Sequence, residues 1–338
     1  MVGDERMLTV RLDEKNGFFP GTGGRKGMRK WNYDFDVPDQ KKVRMIVYAD
    51  AKNEADDQFA IAHHLMTPKF IVKGLIAGHF NLNPQTYGEG QTATASRAEI
   101  EKVLDLMGLA GEYPVYTGAQ TPLPDEQTPV PGDASEFIIQ EAMKDDPHPL
   151  FIACQGAITD LASAILQNPE ICERMTAIWI GGGAYPEGGF EFNLLNDVAA
   201  ANVLFKSKMP VWQVPMNTYK QMSVSLAELQ YHVRPCGKIG AYLVQQMIEF
   251  NNKTAEIPHW PHGEIWGLGD SPTIGLLLFE GERTDVYDEI PAPEVEYGTM
   301  KYLHTGKYRP IRVYKDANAR LTLSDFYAKL ALNYPPEK

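Results

Sequence analysis

Four carboxylates crowd a single turn of the chain, at Asp50, Glu54, Asp56 and Asp57. The largely apolar run at 43–48 before them predicts a buried strand, and residues 58–65 after them predict the first turns of a helix. In an open α/β sheet such a turn lies at the carboxyl end of a strand, where ligands bind. Crowded carboxylates repel one another unless a positive group is bound or some stay protonated, and a hard cation with oxygen ligands is the simplest explanation. The alternative is an acidic, solvated helix N-terminus in which the helix dipole favours Asp56 and Asp57.

Strand-like and helix-like runs alternate along the rest of the chain. The 338 residues, 43% of them hydrophobic, can bury a large core. The predicted strands are Met45–Tyr48, Val72–Ile76, Leu150–Cys154, Ala177–Ile180 and Val211–Pro215. The predicted helices are Gln58–Met66, Ser96–Met107, Ala134–Lys144, Leu161–Leu166, Val198–Lys206 and Leu226–Phe250. This order predicts an α/β fold with a mostly parallel central sheet and helices on both faces.

We expect two regions of unequal character. Residues 43–338 show no composition shift or Pro/Gly/Ser-rich linker and predict one α/β domain. Residues 1–42 are rich in glycine turns and then in aromatic residues, which indicates an irregular extension packed on the domain or on a neighbouring subunit.

Charge and cysteine content exclude several classes of protein. A net charge of −12 without a basic stripe argues against a nucleic-acid partner. The three cysteines are too far apart in sequence for a metal knuckle, and their odd number favours a reducing compartment. We find no signal-peptide pattern at the N-terminus and no apolar run long enough to span a membrane, so we expect a cytoplasmic protein.

Several segments, in order, resemble the inosine-uridine-preferring nucleoside hydrolase family. Asp50, Asp56 and Asp57 occupy the first, third and fourth acidic positions of its DxDxxxDD signature. The other matches are Tyr113–Ala119 with Pro122 for the family's second-strand region, Gly156–Ala162 for its GPLTNLA turn, Ile180–Gly183 with Glu191–Asn193 for its MGG and EFN segment, and Gly269–Pro272 for its His-Asp-Pro. The resemblance covers nearly the whole chain from Val43. It implies hydrolysis of the N-glycosidic bond of a ribonucleoside or a related N-ribosyl compound, in a homo-oligomer such as a dimer or tetramer.

The resemblance also implies a set of site residues. Calcium would be held by Asp57, by the backbone carbonyl of Thr159 and by Asp270, and Asp56 would hydrogen-bond a ribose hydroxyl. Asn81 would contact the sugar, and Glu191 and Asn193 would hold its 5′ side. More ordinary roles are turn chemistry for Asn81 and Asn193 and a helix N-cap for Asp270.

One departure from the family falls on the second acidic position of the signature, which is Lys52 here. The Lys52 ammonium would take the place of the metal as a substitute charge, or Lys52 would point away and Asp50 or Glu54 would become ligand and water-activating base. We favour the second arrangement because Asp57, Thr159 and Asp270 remain.

A second departure concerns the leaving group, because Gly269 stands where the family often has a histidine. A proton donor or stacking partner for the base would come from His79 or from the segment 259–266, in which Trp266 is an aromatic candidate. Alternatively these are loop residues that pack at a subunit contact. His63 and His64 are adjacent on a helix, and we expect them to pack or to lie at the surface.

Two other kinds of acidic motif do not fit this turn, and one other class of function stays open. A haloacid-dehalogenase-type phosphatase would need an aspartate at position 52, and an EF-hand would need glycine at position 55. The main non-enzymatic alternative is a nucleoside- or sugar-binding protein on a hydrolase scaffold, inactive because it lacks the base.

Overall fold

Strands and helices alternate along the chain, as the sequence predicts. The computed structural model describes residues 31–80, 90–257, 263–281 and 283–336. The strands are β1 (Val43–Ala49), β2 (Phe70–Ala77), β3 (Val115–Thr117), β4 (Leu150–Gln155), β5 (Met175–Ile180), β6 (Val211–Val214), β7 (Ser223–Ser225), β8 (Ile265–Gly267), β9 (Tyr287–Pro291), β10 (Glu294–Val295), β11 (Tyr302–Leu303) and β12 (Pro310–Tyr314). The helices are α1 (Asp57–Met66), α2 (Thr92–Leu106), α3 (Asp133–Ala142), α4 (Thr159–Gln167), α5 (Phe192–Asn196), α6 (Val198–Lys206), α7 (Met216–Tyr219), α8 (Leu226–His232), α9 (Gly237–Lys253), α10 (Pro272–Leu278) and α11 (Ala319–Asn333).

Eight of the strands form one sheet in the order β3-β2-β1-β4-β5-β6-β12-β9. Every neighbouring pair in it is parallel except β12 with β9, which is antiparallel. Two separate antiparallel pairs, β7 with β8 and β10 with β11, lie outside this sheet. The prediction of an α/β fold with a mostly parallel central sheet is confirmed.

Helices cover both faces of the sheet. All seven residues of β1 are buried, as expected of a parallel strand covered on both sides. Met45 and Val47 face a core that also contains side chains of α1, α2, α9, α10 and α11. Ile46 and Tyr48 face a second core that contains side chains of α3, α4 and α6. The alternation of side chains along the strand therefore divides the interior into two layers.

The carboxyl ends of β1 and β4 fix the position of the acidic turn. Ala49 of β1 pairs with Gln155 of β4, and Asp50 follows directly. A β-carbon at Gly156 would lie 2.8 Å from the Cγ atom of Asp50. Glycine at this position therefore lets the end of β4 approach the Asp50 carboxylate closely.

Residues 31–42 are irregular apart from one short 3-10 helix, Asp39–Lys41. The backbone N–H of Asn32 donates to Asn333 Oδ1 of α11 at 2.7 Å, and the Tyr33 hydroxyl donates to the Met66 carbonyl of α1 at 2.7 Å. This part of the expected extension packs on helices of the same chain. Residues 1–30 lie outside the described residues, and the boundary at residue 42 remains a prediction.

The prediction of a single helix over Leu226–Phe250 is wrong. The structure has two helices there, α8 and α9, separated by residues 233–236. Pro235 lacks an N–H donor and disfavours a helical conformation in the residue before it, and Gly237 has φ +62°. The predicted strands did not include β9 and β12, whereas β3 lies within Tyr113–Ala119, which the family resemblance assigns to a strand region. Within the described ranges, no helix is both long enough and apolar enough to cross a membrane.

Candidate active site

A cavity of about 460 Å³ opens at the carboxyl edge of the sheet. This volume is within the range of small-molecule sites. Six carboxylates line it, and they come from the β1–α1 turn, from the start of α5 and from the loop before α10: Asp50, Glu54, Asp56, Asp57, Glu191 and Asp270. The predicted acidic turn is thus part of a cavity wall, and the alternative of a solvated helix N-terminus is wrong, since Asp50, Asp56 and Asp57 are all buried.

Three of these carboxylates converge. Oxygens of Asp56, Asp57 and Asp270 all lie within 4.8 Å of one another. Asp57 is the first residue of α1, and Asp270 lies two residues before α10. We call these three residues the carboxylate triad. The sequence reading placed Asp57 and Asp270 in a metal site and gave Asp56 to the sugar, whereas the structure brings all three together.

The pKa values in this group are displaced upward, because burial removes charged carboxylates from water. Burial raises the pKa of Asp56 to about 6, although backbone N–H groups of Gly269 and Asp270 lower it in part. Burial, and then the neighbouring carboxylates, raise the pKa of Asp57 and Asp270 well above the usual range. The same causes raise the pKa of Glu54 to about 8. A bound cation would relieve this repulsion.

The triad fits a hard divalent cation. Asp57 Oδ1 is buried and has no hydrogen-bond partner among the described residues. Calcium takes six to eight oxygen ligands, and carboxylates are its usual protein donors. Asp50 Oδ2 is likewise buried and unpartnered within the part of the chain that the structure describes. A cation or a bound water would supply each of these two oxygens with a partner.

Lys52 points away from the triad. Its ammonium lies 3.0 Å from Glu99 Oε2 on α2. Glu99 is buried and also accepts hydrogen bonds from Gln58 and Tyr242. Lys52 is not among the residues that line the cavity. Of the two arrangements that the sequence left open, the structure therefore has the one in which the ammonium does not take the place of a metal.

Thr159 and His79 form a buried chain of hydrogen bonds outside the cavity lining. The Thr159 hydroxyl donates to Asp197 Oδ2 at 2.6 Å, and His79 Nε2 lies 2.7 Å from Thr159 Oγ1. Burial lowers the pKa of His79 to about 4. The structure therefore does not bring His79 to the cavity as a substrate contact, and the ligand role of the Thr159 carbonyl stays a prediction.

Glu191 and Asn193 are placed at the cavity wall by the start of α5. Glu191 is the N-cap residue of that helix and accepts from the backbone N–H groups of Asn193 and Leu194. Asn193 donates through Nδ2 to the Ile180 carbonyl at 2.9 Å. Burial raises the pKa of Glu191, and these N–H groups offset part of the effect.

The remaining predicted residues are distributed as follows. Trp266 of β8 lines the cavity and packs edge-on against Phe250 at 5.8 Å between ring centroids. His63 pairs with Asp325 at 2.7 Å and His64 with the Ala60 carbonyl at 2.9 Å, so both pack inside the protein as expected. Asn81 and the histidines at 259 and 262 lie outside the described residues.

Sequence reasoning missed Tyr219 and Gln155. The Tyr219 hydroxyl donates to Glu191 Oε1 at 3.1 Å. The Tyr219 ring packs against Gly269, where an added β-carbon would lie 3.2 Å from Tyr219 Cδ2. Gln155 ends β4 and donates to Thr273 Oγ1 at 2.9 Å. Both line the cavity. Each stands at or soon after the carboxyl end of a predicted strand, which is the signal that would have found them.

Comparisons with known proteins agree with the resemblance. The family model described as inosine-uridine preferring nucleoside hydrolase matches residues 46–323. The chain is 25% identical over 217 residues to the inosine-uridine preferring nucleoside hydrolase of Leishmania major, a match that covers 54% of this chain and 68% of that protein. It is 24% identical over 253 residues to the pyrimidine-specific ribonucleoside hydrolase RihA of Citrobacter koseri, covering 66% and 76%.

Solved structures agree in fold. A purine-preferring ribonucleoside hydrolase from Gardnerella vaginalis superposes with a TM-score of 0.68 at 19% identity, over 86% of this chain and 99% of that one. An inosine-guanosine nucleoside hydrolase gives a TM-score of 0.67 at 17% identity, over 85% and 98%. Together with a family match that spans most of the sequence, the cavity and its acidic turn lead to one conclusion: the chain belongs to the inosine-uridine preferring nucleoside hydrolase family.

Proposed function

We propose that this protein hydrolyses the N-glycosidic bond of a ribonucleoside or a related N-ribosyl compound, with calcium at the carboxylate triad. The observation that carries the proposal is the convergence of Asp56, Asp57 and Asp270 within 4.8 Å, inside a cavity large enough for a nucleoside. Family membership supports the reaction, and the oxygen-only donor set supports the choice of a hard cation.

The triad would hold calcium, and the Thr159 carbonyl would complete part of its ligand shell. Calcium in such a site orients a sugar diol and lowers the pKa of a bound water. The chain's own carboxylates contribute in a second way, because negative charge close to the sugar stabilises the oxocarbenium-like transition state of glycosidic cleavage.

Asp50 is the residue that we assign as the water-activating base in place of the family's missing aspartate. It is held at the end of β1 against Gly156, and its Oδ2 has no hydrogen-bond partner within the described ranges. Glu54 lines the same cavity from the middle of the turn and is the alternative base. Geometry favours Asp50 because its position is fixed by the sheet on one side and by Gly156 on the other.

The opposite wall of the cavity would bind the rest of the substrate. Glu191 and Asn193 would face the 5′ end of the sugar, and the buried Trp266 ring would contact the base. Among the described residues that line the cavity there is no histidine. A leaving-group proton would therefore come from another side chain or from solvent.

A second candidate function is binding of a nucleoside or sugar with weak or no catalysis. The observation that favours it is Lys52, whose ammonium pairs with Glu99 and leaves the usual position of the base without a carboxylate. Release of free ribose from a panel of nucleosides, measured in calcium and in chelator, separates the two candidates. An enzyme releases ribose in calcium, and a binding protein shows affinity without release.

Assembly and location belong to the same proposal. We propose a homo-oligomer, a dimer or tetramer, which light scattering tests against the 37.8 kDa mass of one chain. We also propose a cytoplasmic location. All three cysteines are free and buried, which is compatible with a reducing compartment.

A further inference from the structure

The Glu191 carboxylate is fully occupied by donors from its own chain. Oε2 accepts from the backbone N–H groups of Gly182 at 2.8 Å and Leu194 at 2.9 Å. Oε1 accepts from the backbone N–H of Asn193 at 3.2 Å and from the Tyr219 hydroxyl at 3.1 Å. A carboxylate offers about four lone-pair positions. All four are therefore taken, although the residue lines the cavity.

These four donors differ in how the structure holds them. The N–H groups of Asn193 and Leu194 belong to the first turn of α5, and that of Gly182 follows β5. They are fixed by the backbone. The Tyr219 hydroxyl is carried by a side chain, so it is the donor that a variant removes without altering the backbone.

The position of Tyr219 depends on a second feature of this chain. A β-carbon at Gly269 would lie 3.2 Å from Tyr219 Cδ2, which is closer than an ordinary van der Waals contact. Glycine next to Asp270 therefore leaves room for the Tyr219 ring. Ile180 and Phe192 line the cavity together with this ring, so its wall near Glu191 is partly apolar.

We infer that Tyr219 determines specificity: it holds the last acceptor position of Glu191 and so selects N-ribosyl substrates without a hydroxyl on the 5′ carbon, such as 5′-deoxyribonucleosides. The inference rests on the proposed function, in which Glu191 and Asn193 face the 5′ end of the sugar. A 5′-hydroxyl would find no free acceptor position on the Glu191 carboxylate and would be left with neutral partners such as the Asn193 amide, which replace its hydrogen bonds with water less well than a carboxylate does. A 5′-methyl group carries no such cost and packs against the ring.

The test measures kcat/KM for one ribonucleoside and for its 5′-deoxy analogue, with the 338-residue chain in the presence of calcium. We expect the native protein to use the 5′-deoxy compound at least as well as the parent nucleoside. Tyr219→Phe keeps the ring and frees one acceptor position of Glu191. We expect it to shift the ratio of kcat/KM values about tenfold or more towards the 5′-hydroxyl compound, since hydrogen bonds to charged groups are among the stronger ones.

Tyr308→Phe is the matched control. Tyr308 donates to Glu294 Oε1 at 2.7 Å, and neither residue lines the cavity. This variant loses the same kind of bond and should leave the ratio unchanged. A native preference for the 5′-hydroxyl compound, or an unchanged ratio in Tyr219→Phe, would overturn the inference.

The proposed function and the inference fail in different ways. If no compound of the nucleoside panel is cleaved, the proposed function is wrong, and the dissociation constants of one ribonucleoside and its 5′-deoxy analogue replace kcat/KM. Equal or tighter native binding of the 5′-deoxy compound, with a shift towards the hydroxyl in Tyr219→Phe, would support the inference. The reverse order in the native protein would reject it.

Discussion

Replacing Asp56 by asparagine should stabilise the metal-free protein and weaken its response to calcium. Burial raises the pKa of Asp56 from 3.8 to about 6. At about 1.4 kcal/mol for each pKa unit, ionised Asp56 costs the folded state about 3 kcal/mol at pH 7. The variant removes this cost but turns one acceptor oxygen beside the Gly269 and Asp270 N–H groups into a donor, at about 1 kcal/mol. We expect a net gain of about 2 kcal/mol in the free energy of unfolding.

The dependence on pH has a definite sign. The folded-state pKa of Asp56 is above its unfolded value, so the folded state binds this proton more tightly. The contribution of Asp56 to stability is therefore greatest below about pH 4, falls as the pH rises to about 6, and is constant above that. The advantage of Asp56→Asn should accordingly be present at pH 7 and disappear at pH 4.

Urea unfolding in chelator and in excess calcium measures both effects. A ligand at a thousand times its Kd stabilises the folded state by about 4 kcal/mol, and Asp56→Asn should lose most of that increment because it removes one anionic ligand. Asp160→Asn is the control. Asp160 is buried with a pKa raised to about 6, but it bonds Tyr48 and Ala119 and does not line the cavity. The control should keep the full calcium increment. An Asp56→Asn protein that is less stable than the native one in chelator at pH 7, or that keeps this increment, would refute the reasoning.

Two further predictions concern the acidic turn. Asp50→Asn should lower kcat by about 10²–10⁴-fold, because a general base contributes about this factor, and Glu54→Gln should lower it less. Steady-state kinetics of the two variants show which residue is the base. Full activity in Asp50→Asn would contradict our assignment. Lys52→Met should lower the free energy of unfolding, because buried Glu99 loses the ammonium that pairs with it. It should leave the calcium affinity within about threefold of that of the native protein. Calorimetry that shows much weaker calcium binding would instead place Lys52 in the metal site.

The sequence predicted the parts of this structure that depend on local pattern. The apolar run before Asp50 predicted β1, and the run of carboxylates after it predicted a ligand site at the strand end. The first follows from the apolar run of a strand that is buried on both faces, and the second from the rule that ligands of open α/β sheets bind at the carboxyl ends of the strands. The family resemblance added Asp270, which is distant in sequence and which local pattern would have read as a helix cap.

Other parts depend on contacts that sequence spacing does not encode. Glu99 on α2 takes the Lys52 ammonium, and nothing near Lys52 in sequence indicates this partner. Asp56 joins the triad because Gly269 and Asp270 present backbone N–H groups to it from another loop. Tyr219 reaches Glu191 from the end of α7, the short helix after β6. Each of these contacts joins segments that lie far apart along the chain, so it becomes visible only after the sheet has assembled.

The most direct test of the account is ribose release from a panel of ribonucleosides and other N-ribosyl compounds, with the native protein and Asp57→Asn, in chelator and after calcium is restored. We predict release by the native protein that stops in chelator and returns with calcium, and no release by Asp57→Asn under either condition. Release that is indifferent to chelator, or undiminished release by Asp57→Asn, would contradict the central claim that the carboxylate triad holds the cation on which hydrolysis depends.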